Sequence, residues 1–247
     1  YIKNDIENGI ATISFFHPEH NSLPSNLLSE LVNTITNLGN NDAVKVIILK
    51  SEGGTTFCAG ASFQELISIE NEETGRLFFS GFANVINAMR KCPKIIIGSI
   101  HGKAVGGGVG LAAACDFAYA YQDASIKLSE IAIGIGPFVI EPAVSRKIGK
   151  TSLAEMTLTP TLWKSANWAK EKGLFAQVFE SIEESGPRTK ARSFPNGFDG
   201  IILEGRQLHD FLRVINSISI SHINKTHAAV IAEKITPVVF RDFGCMR

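Results

Sequence analysis

The chain lacks a cysteine framework. Its four cysteines, Cys58, Cys92, Cys115 and Cys245, lie far apart, and no two form a C-x-x-C pair. That scatter excludes a zinc ribbon or a small disulfide scaffold and fits reduced, packed thiols in a cytosol-like compartment. An excess of either charge is missing too, since 24 basic residues are matched by 24 acidic ones. A neutral chain has no electrostatic footprint for nucleic acid or for an anionic membrane surface, so neither is expected as a partner. No apolar run has the length of a membrane span and no signal-peptide pattern appears, which makes a cytoplasmic location the expectation. G-x-S-x-G is absent, which counts against a serine hydrolase. What remains is an ordinary globular mixture, 45% hydrophobic and 19% charged over 247 residues. That length buries a sizeable core, as one large domain or a domain with an appendage.

Residues 101–137, HGKAVGGGVGLAAACDFAYAYQDASIKLSEIAIGIGP, organise the rest. They follow KIIIGSI (94–100), a short β-branched run that reads as a buried strand. Gly106, Gly107 and Gly108 then open a small, apolar, helix-permissive stretch. Glycines at a helix start let a ligand approach the backbone, and the first N–H groups of the helix are left unpaired. Helped by the helix dipole, those groups hold an oxygen that carries negative charge. A second element of the same kind is TFCAGASFQEL (56–66), a strand end, a turn at Gly60 and a helix start. Two such turns can each present an N–H to one ligand oxygen, an oxyanion hole. Glu130 lies in the apolar run LSEIAIGIG, where a carboxylate is hard to explain as surface decoration.

The remaining pattern is strand, turn and helix in repetition. Residues 1–3 and 10–16 read as strands about an Asn8-Gly9 hairpin turn. A helix capped by Ser25 or Asn26 carries Leu27, Leu28, Leu31, Val32, Ile35 and Leu38 at helical spacing. Residues 44–50 read as a buried strand, 62–69 as a helix, 70–74 as a charged exposed link, and 77–91 as an amphipathic helix with a stripe from Leu77 to Met89. A strand at 116–121 follows the glycine turn. Gly134, Gly136 and Pro137 break the strand that carries Glu130, and 138–148 reads as a helix interrupted at Pro142. His17 and His20 read as solvated turn histidines. Roughly one unit per fifty residues suggests a spiral of parallel strands with helices outside. From about Ser185 the glycines, prolines and basic residues of SGPRTKARSFPNGFDG read as a link.

The segments FCAGAS (57–62), HGKAVGGGVGLAAACD (101–116) and LSEIAIGIGPF (128–138) resemble the crotonase superfamily, the enoyl-CoA hydratases and isomerases, in order and in spacing. The resemblance runs from about Ile6 to about Glu180. It implies an α/β fold, a crotonase-like ββα spiral over 1–185, with a helical, oligomer-building segment over 186–247. It implies that the N–H groups of Ala59 and Gly107 form the oxyanion hole for a thioester carbonyl and that Glu130 is the catalytic acid/base. Leu23, Ala61, Ser62, Phe63, Gly106, Gly110, Pro137 and Phe138 are the residues expected to border the substrate. Gly110 stands where the two-glutamate hydratases carry their other carboxylate, so that a side chain there is expected to point at the reacting carbons. The GGGVGL and LSEIAIGIGPF pair resembles a branch of methylglutaconyl-CoA-type hydratases with glycine at the same place. The implied activity is hydration of a 2-enoyl-CoA through an oxyanion-stabilised enolate. The alternatives are a Δ3-Δ2 enoyl-CoA isomerase, which shuttles one proton, and a non-catalytic crotonase-like interaction protein. The resemblance calls for no metal or redox cofactor, with coenzyme A entering as part of an acyl-CoA thioester substrate, and for a homotrimer or hexamer.

Overall fold

The computed structural model describes residues 1–180. The expected boundary at 185/186 and the expected C-terminal helical segment lie outside those residues. Strand β1 (Ile2–Glu7) pairs antiparallel with β2 (Ile10–Phe15). The turn between them has positive φ at both Asn8 and Gly9, the geometry that matches the twist of a two-residue hairpin. β1 therefore runs on through residues that the sequence pattern assigned to the turn. Helix α1 (Ser25–Gly39) buries Leu27, Leu28, Leu31, Ile35 and Leu38. Its cap position is Pro24, which has no side-chain donor or acceptor to offer. The Glu65 carboxylate does the capping from elsewhere, accepting from the Ser25 N–H at 3.0 Å and from its hydroxyl at 2.7 Å.

Strands β3 (Val46–Ser51) and β4 (Thr56–Cys58) follow, then the short helix α2 (Phe63–Ile67) and the long helix α3 (Glu72–Lys91). α3 begins five residues before the expected Leu77. Asn71 and Thr74 form a capping box there, so the charged stretch assigned to a link is the solvated first turn of the helix. Burial starts only at Phe82 and continues through Val85, Ile86 and Met89; Leu77 is exposed. Strands β5 (Ile95–Ile100) and β6 (Lys103–Val105) lead to helix α4 (Gly107–Ala114). Strands β7 (Phe117–Tyr121) and β8 (Ser125–Lys127) come next, then a single 3-10 turn at Glu130–Ile133. Glu130 is thus on a turn rather than a strand, because Gly134, at φ +80, closes the chain back on itself.

Helix α5 (Glu141–Leu158) accepts Pro142 in its first turn, where the missing N–H costs nothing. The interruption is at Gly149 instead, whose φ of 75° and ψ of 162° break the helix in two. β9 (Lys164–Ser165), α6 (Ala166–Glu171) and β10 (Gln177–Phe179) complete the described chain.

Two sheets result. The larger has the order β1-β2-β3-β5-β7-β10 and is parallel from β2 onward; the smaller has the order β4-β6-β8-β9, with only β9 antiparallel. This is the expected mixed α/β spiral. α4 runs through the core, and every residue after Gly107 in it is buried. Small residues are required there: a Cβ on Gly108 would sit 2.3 Å from the Cys58 carbonyl oxygen.

Candidate active site

Two turns meet at the N-terminus of α4. The first is the end of β6. Gly106 takes φ 52° and ψ −114°, outside the regions open to residues with a Cβ, and donates its N–H to the Lys127 carbonyl at 3.0 Å. Val109 and Gly110 donate back to the Gly106 carbonyl, which starts the helix. The Gly107 N–H, the first of the helix, has no acceptor among the described residues.

The second turn leaves β4. Ala59 donates its N–H to the His20 carbonyl at 3.2 Å, and Gly60 donates to the Cys58 sulfur at 3.4 Å. The expectation that Ala59 supplies an oxyanion-hole donor is therefore corrected, because that amide is already engaged within the protein. The N–H with no acceptor among the described residues belongs to Ala61. Its direction is set by the peptide plane it shares with Gly60. The Gly60 carbonyl accepts the Leu23 N–H at 2.8 Å. A trans peptide points its N–H opposite to its carbonyl, so the Ala61 N–H faces away from Leu23. Gly60 itself has φ +94, and a Cβ on it would lie 3.2 Å from the Val105 carbonyl oxygen and 3.5 Å from the Gly107 nitrogen. The two turns are therefore in contact beside the Gly107 nitrogen. Cys58 beneath them is no nucleophile: burial pushes its thiol up to about 12.

Glu130 comes against the same turn. A Cβ on Gly106 would be 2.8 Å from Glu130 Oε1, so the glycine leaves the space in which the carboxyl group sits. Glu130 Oε2 is buried without a hydrogen-bond partner among the described residues. Burial raises the carboxyl above the ordinary carboxylate range, against a weaker lowering by the backbone N–H groups of Glu130 and Ser129. A carboxyl raised by burial, with one oxygen unpartnered among the described residues, is equipped to give and take a proton.

The other expected substrate-bordering residues divide. Phe63 and Phe138 are 59% and 82% exposed and are free to wall a bound acyl chain. Pro137 uses its carbonyl to accept from Ile140 and Glu141 and so starts α5. Leu23 is corrected: its side chain is fully buried in the core, and it acts on the site through its backbone N–H. Ser62 is corrected too, since it is buried and its hydroxyl accepts the Glu65 N–H as the cap of α2. Gly110 does not open toward the site. A Cβ there would lie 2.4 Å from Ile140 Cγ2 and 3.4 Å from Ile86 Cδ1, so the space a second carboxylate would need is filled by two isoleucines.

Residues 5–185 match the family model for enoyl-CoA hydratase/isomerase. The chain belongs to the enoyl-CoA hydratase/isomerase family. Among curated relatives, it is 32% identical over 152 residues to a probable enoyl-CoA hydratase of Bacillus subtilis (strain 168), a match covering 61% of this chain and 58% of that protein. It is 29% identical over 199 residues to a peroxisomal Δ(3,5)-Δ(2,4)-dienoyl-CoA isomerase of Arabidopsis thaliana, covering 74% and 70%. It is 33% identical over 165 residues to a mitochondrial methylglutaconyl-CoA hydratase of Mus musculus, covering 66% and 52%. The chain thus spans little more than half the length of two of these three relatives. Among solved structures, an enoyl-CoA hydratase from Bacillus anthracis is 33% identical with a TM-score of 0.68, over 72% of this chain and 70% of that one. An enoyl-CoA hydratase of Mycobacterium smegmatis is 25% identical with a TM-score of 0.71, over 99% and 84%. No helix among the described residues is long and apolar enough to cross a membrane.

The glycine triplet and Glu130, both singled out from the sequence, are brought together by the structure at Gly106. The resemblance placed the end of the loop 17–24 beside the substrate, through Leu23; what sequence reasoning missed was how Asn21 holds that loop. Asn21 has a left-handed backbone, φ +56, and a buried side chain whose oxygen and amide nitrogen are both hydrogen-bonded within the protein. The signal available was an asparagine in a turn after His17-Pro18, a pattern that solvated turns share.

Proposed function

We propose that this member of the family acts on acyl-CoA thioesters and hydrates a 2-enoyl-CoA. The thioester oxygen would lie between the N–H groups of Ala61 and Gly107, with Glu130 as the proton carrier. Water adds its hydroxyl to C3 of the enoyl group, and the π electrons move through C2 and the carbonyl carbon onto the thioester oxygen. Two fixed N–H dipoles stabilise the charge gathering there, each such donor being typically worth ~10²–10³ in rate. The proton then arrives at C2 and collapses the enolate to the 3-hydroxyacyl thioester. The Glu130 carboxylate would take the proton of the adding water and give that same proton to C2, so that it ends the cycle as it began.

The observation that carries the reading is the convergence at Gly106. A partly desolvated carboxyl group with an unpartnered oxygen among the described residues meets a turn that offers an unpaired helix N–H. The names of the relatives support an enoyl-CoA substrate, and their division between hydratases and an isomerase leaves a second reading. Isomerisation of a 3-enoyl-CoA needs only one carboxylate to lift a proton from C2 and return it at C4. The isoleucines packed against Gly110 favour it, because they exclude a second carboxylate there. Incubation with crotonyl-CoA, 3-methylglutaconyl-CoA and a 3-enoyl-CoA separates the readings. Loss of the conjugated enoyl absorbance from either of the first two supports hydration. A gain from the third alone supports isomerisation, and no change in any of them refutes both.

A further inference from the structure

We propose that Asn21 is the positioning residue of the Ala61 donor; the inference rests on the reading of Ala61 and Gly107 as the pair that holds the thioester oxygen. Asn21 is 2% exposed. Its side-chain NH2 donates to the Glu52 carbonyl at 2.8 Å and to the Thr56 carbonyl at 2.9 Å, and its Oδ1 accepts the His17 N–H at 2.8 Å. The two carbonyls are the two ends of the turn that brings the chain from β3 into β4. One amide group therefore ties the loop 17–24 to both sides of the segment that delivers Ala59, Gly60 and Ala61.

The tie continues residue by residue toward the site. The carbonyl of His20, next to Asn21, takes the Ala59 N–H. The N–H of Leu23, two residues after Asn21, donates to the Gly60 carbonyl. Leu23 and Ala61 then pair as a parallel bridge. Rotation of the Gly60–Ala61 peptide would turn the Ala61 N–H out of the site, and the Leu23 hydrogen bond opposes it. That bond holds its direction only while the loop is held, and the successive left-handed backbones of His20 and Asn21 bend the loop that the Asn21 side chain anchors. Asn21 touches no substrate. It acts through the loop on one peptide plane, and a donor displaced by about an ångström loses on the order of 10²-fold in rate.

The test uses three variants of the full chain. Asn21→Gly removes the side chain and leaves a residue at ease with φ +56. Asn21→Asp keeps the shape and places an oxygen against the carbonyls of Glu52 and Thr56. Asn21→Ser keeps one short donor. Turnover is measured in the parent background with crotonyl-CoA. The carbonyl stretch of bound crotonyl-CoA, labelled with 13C at the carbonyl, is measured in the Glu130→Gln background, where turnover does not intervene. The inference predicts a fall in kcat of roughly tenfold to 10²-fold for Asn21→Gly and Asn21→Asp, a KM within about threefold, and a smaller loss for Asn21→Ser. It also predicts that the carbonyl stretch moves back toward its value in water in the first two variants. If the carbonyl stretch is unshifted even with Asn21 intact, the oxyanion reading itself fails. If it is shifted and stays so in Asn21→Gly, the positioning role alone is overturned. An Asn21→Gly chain that does not fold assigns the residue to stability and likewise overturns the inference.

Discussion

Substituting Gly110 by alanine asks whether the space beside α4 is full. A new Cβ would lie 2.4 Å from Ile140 Cγ2 and 3.0 Å from Ile140 Cβ. Carbon atoms settle at about 3.5–4.0 Å, so the first contact is about an ångström too close. Ile140 has little freedom to retreat, because it is buried and its carbonyl accepts the N–H groups of Ala143 and Val144 at the start of α5. Overpacking of this kind costs ~1–3 kcal/mol. Alanine returns about 1 kcal/mol through its helix propensity. The expected net is a loss of up to about 2 kcal/mol, a fall in Tm of up to roughly 8 °C for a chain of this size. The assay is a double-mutant cycle by thermal or denaturant unfolding of Gly110→Ala, Ile140→Ala and the pair. Ile140→Ala alone should cost ~2–5 kcal/mol. In the pair the new methyl group enters the space vacated, so the two changes should couple favourably by ~1–3 kcal/mol. Additive losses would refute the packing argument. The cycle bears on chemistry as well: Gly110→Glu alone is expected to lose stability without gaining hydration, and only Gly110→Glu with Ile140→Ala has room for a second carboxylate.

Further outcomes follow from individual groups. Burial raises the Glu130 carboxyl above its unfolded value, so the folded state binds the proton more tightly and stability falls as pH rises from the ordinary carboxylate range through the raised value. Glu130→Gln lacks this dependence; its Tm relative to the parent should therefore climb as pH rises above the ordinary carboxylate range, and a constant difference would show that the carboxyl is not desolvated. Glu65→Ala removes the cap that α1 borrows from α2 and should cost about 1 kcal/mol in unfolding experiments, with an unchanged midpoint refuting the cap. Sedimentation is expected to find a trimer or a dimer of trimers, as the family resemblance implies, and a monomer at micromolar concentration would contradict that.

The sequence disclosed the site unevenly, for physical reasons. Gly106 and Gly107 were legible because a glycine cluster between a strand and a helix bares the backbone where the helix has N–H groups to offer. Glu130 was legible because a carboxylate in an apolar run is costly. Its secondary structure was not, since LSEIAIGIG has no clear period and the left-handed Gly134 decides for a turn. The choice between Ala59 and Ala61 was invisible locally. Successive amides of an A-G-A turn look alike, and which of them is free depends on His20 and Leu23, some forty residues upstream. The start of α3 was hidden because its first turn is all solvated face, while the break in α5 went to Gly149 because Pro142 falls where a helix tolerates proline.

The central claim is that Glu130 moves the proton beside a hole made by Ala61 and Gly107. Glu130→Gln keeps the shape of the side chain and removes its titration, so steady-state hydration or isomerisation of enoyl-CoA by this variant, together with its affinity for the thioester, tests the claim most directly. The account predicts a fall in turnover of at least ~10² with thioester affinity within a few-fold of the parent. Turnover equal to the parent's, in a variant that folds and binds, would contradict it and reduce Glu130 to a structural carboxylate.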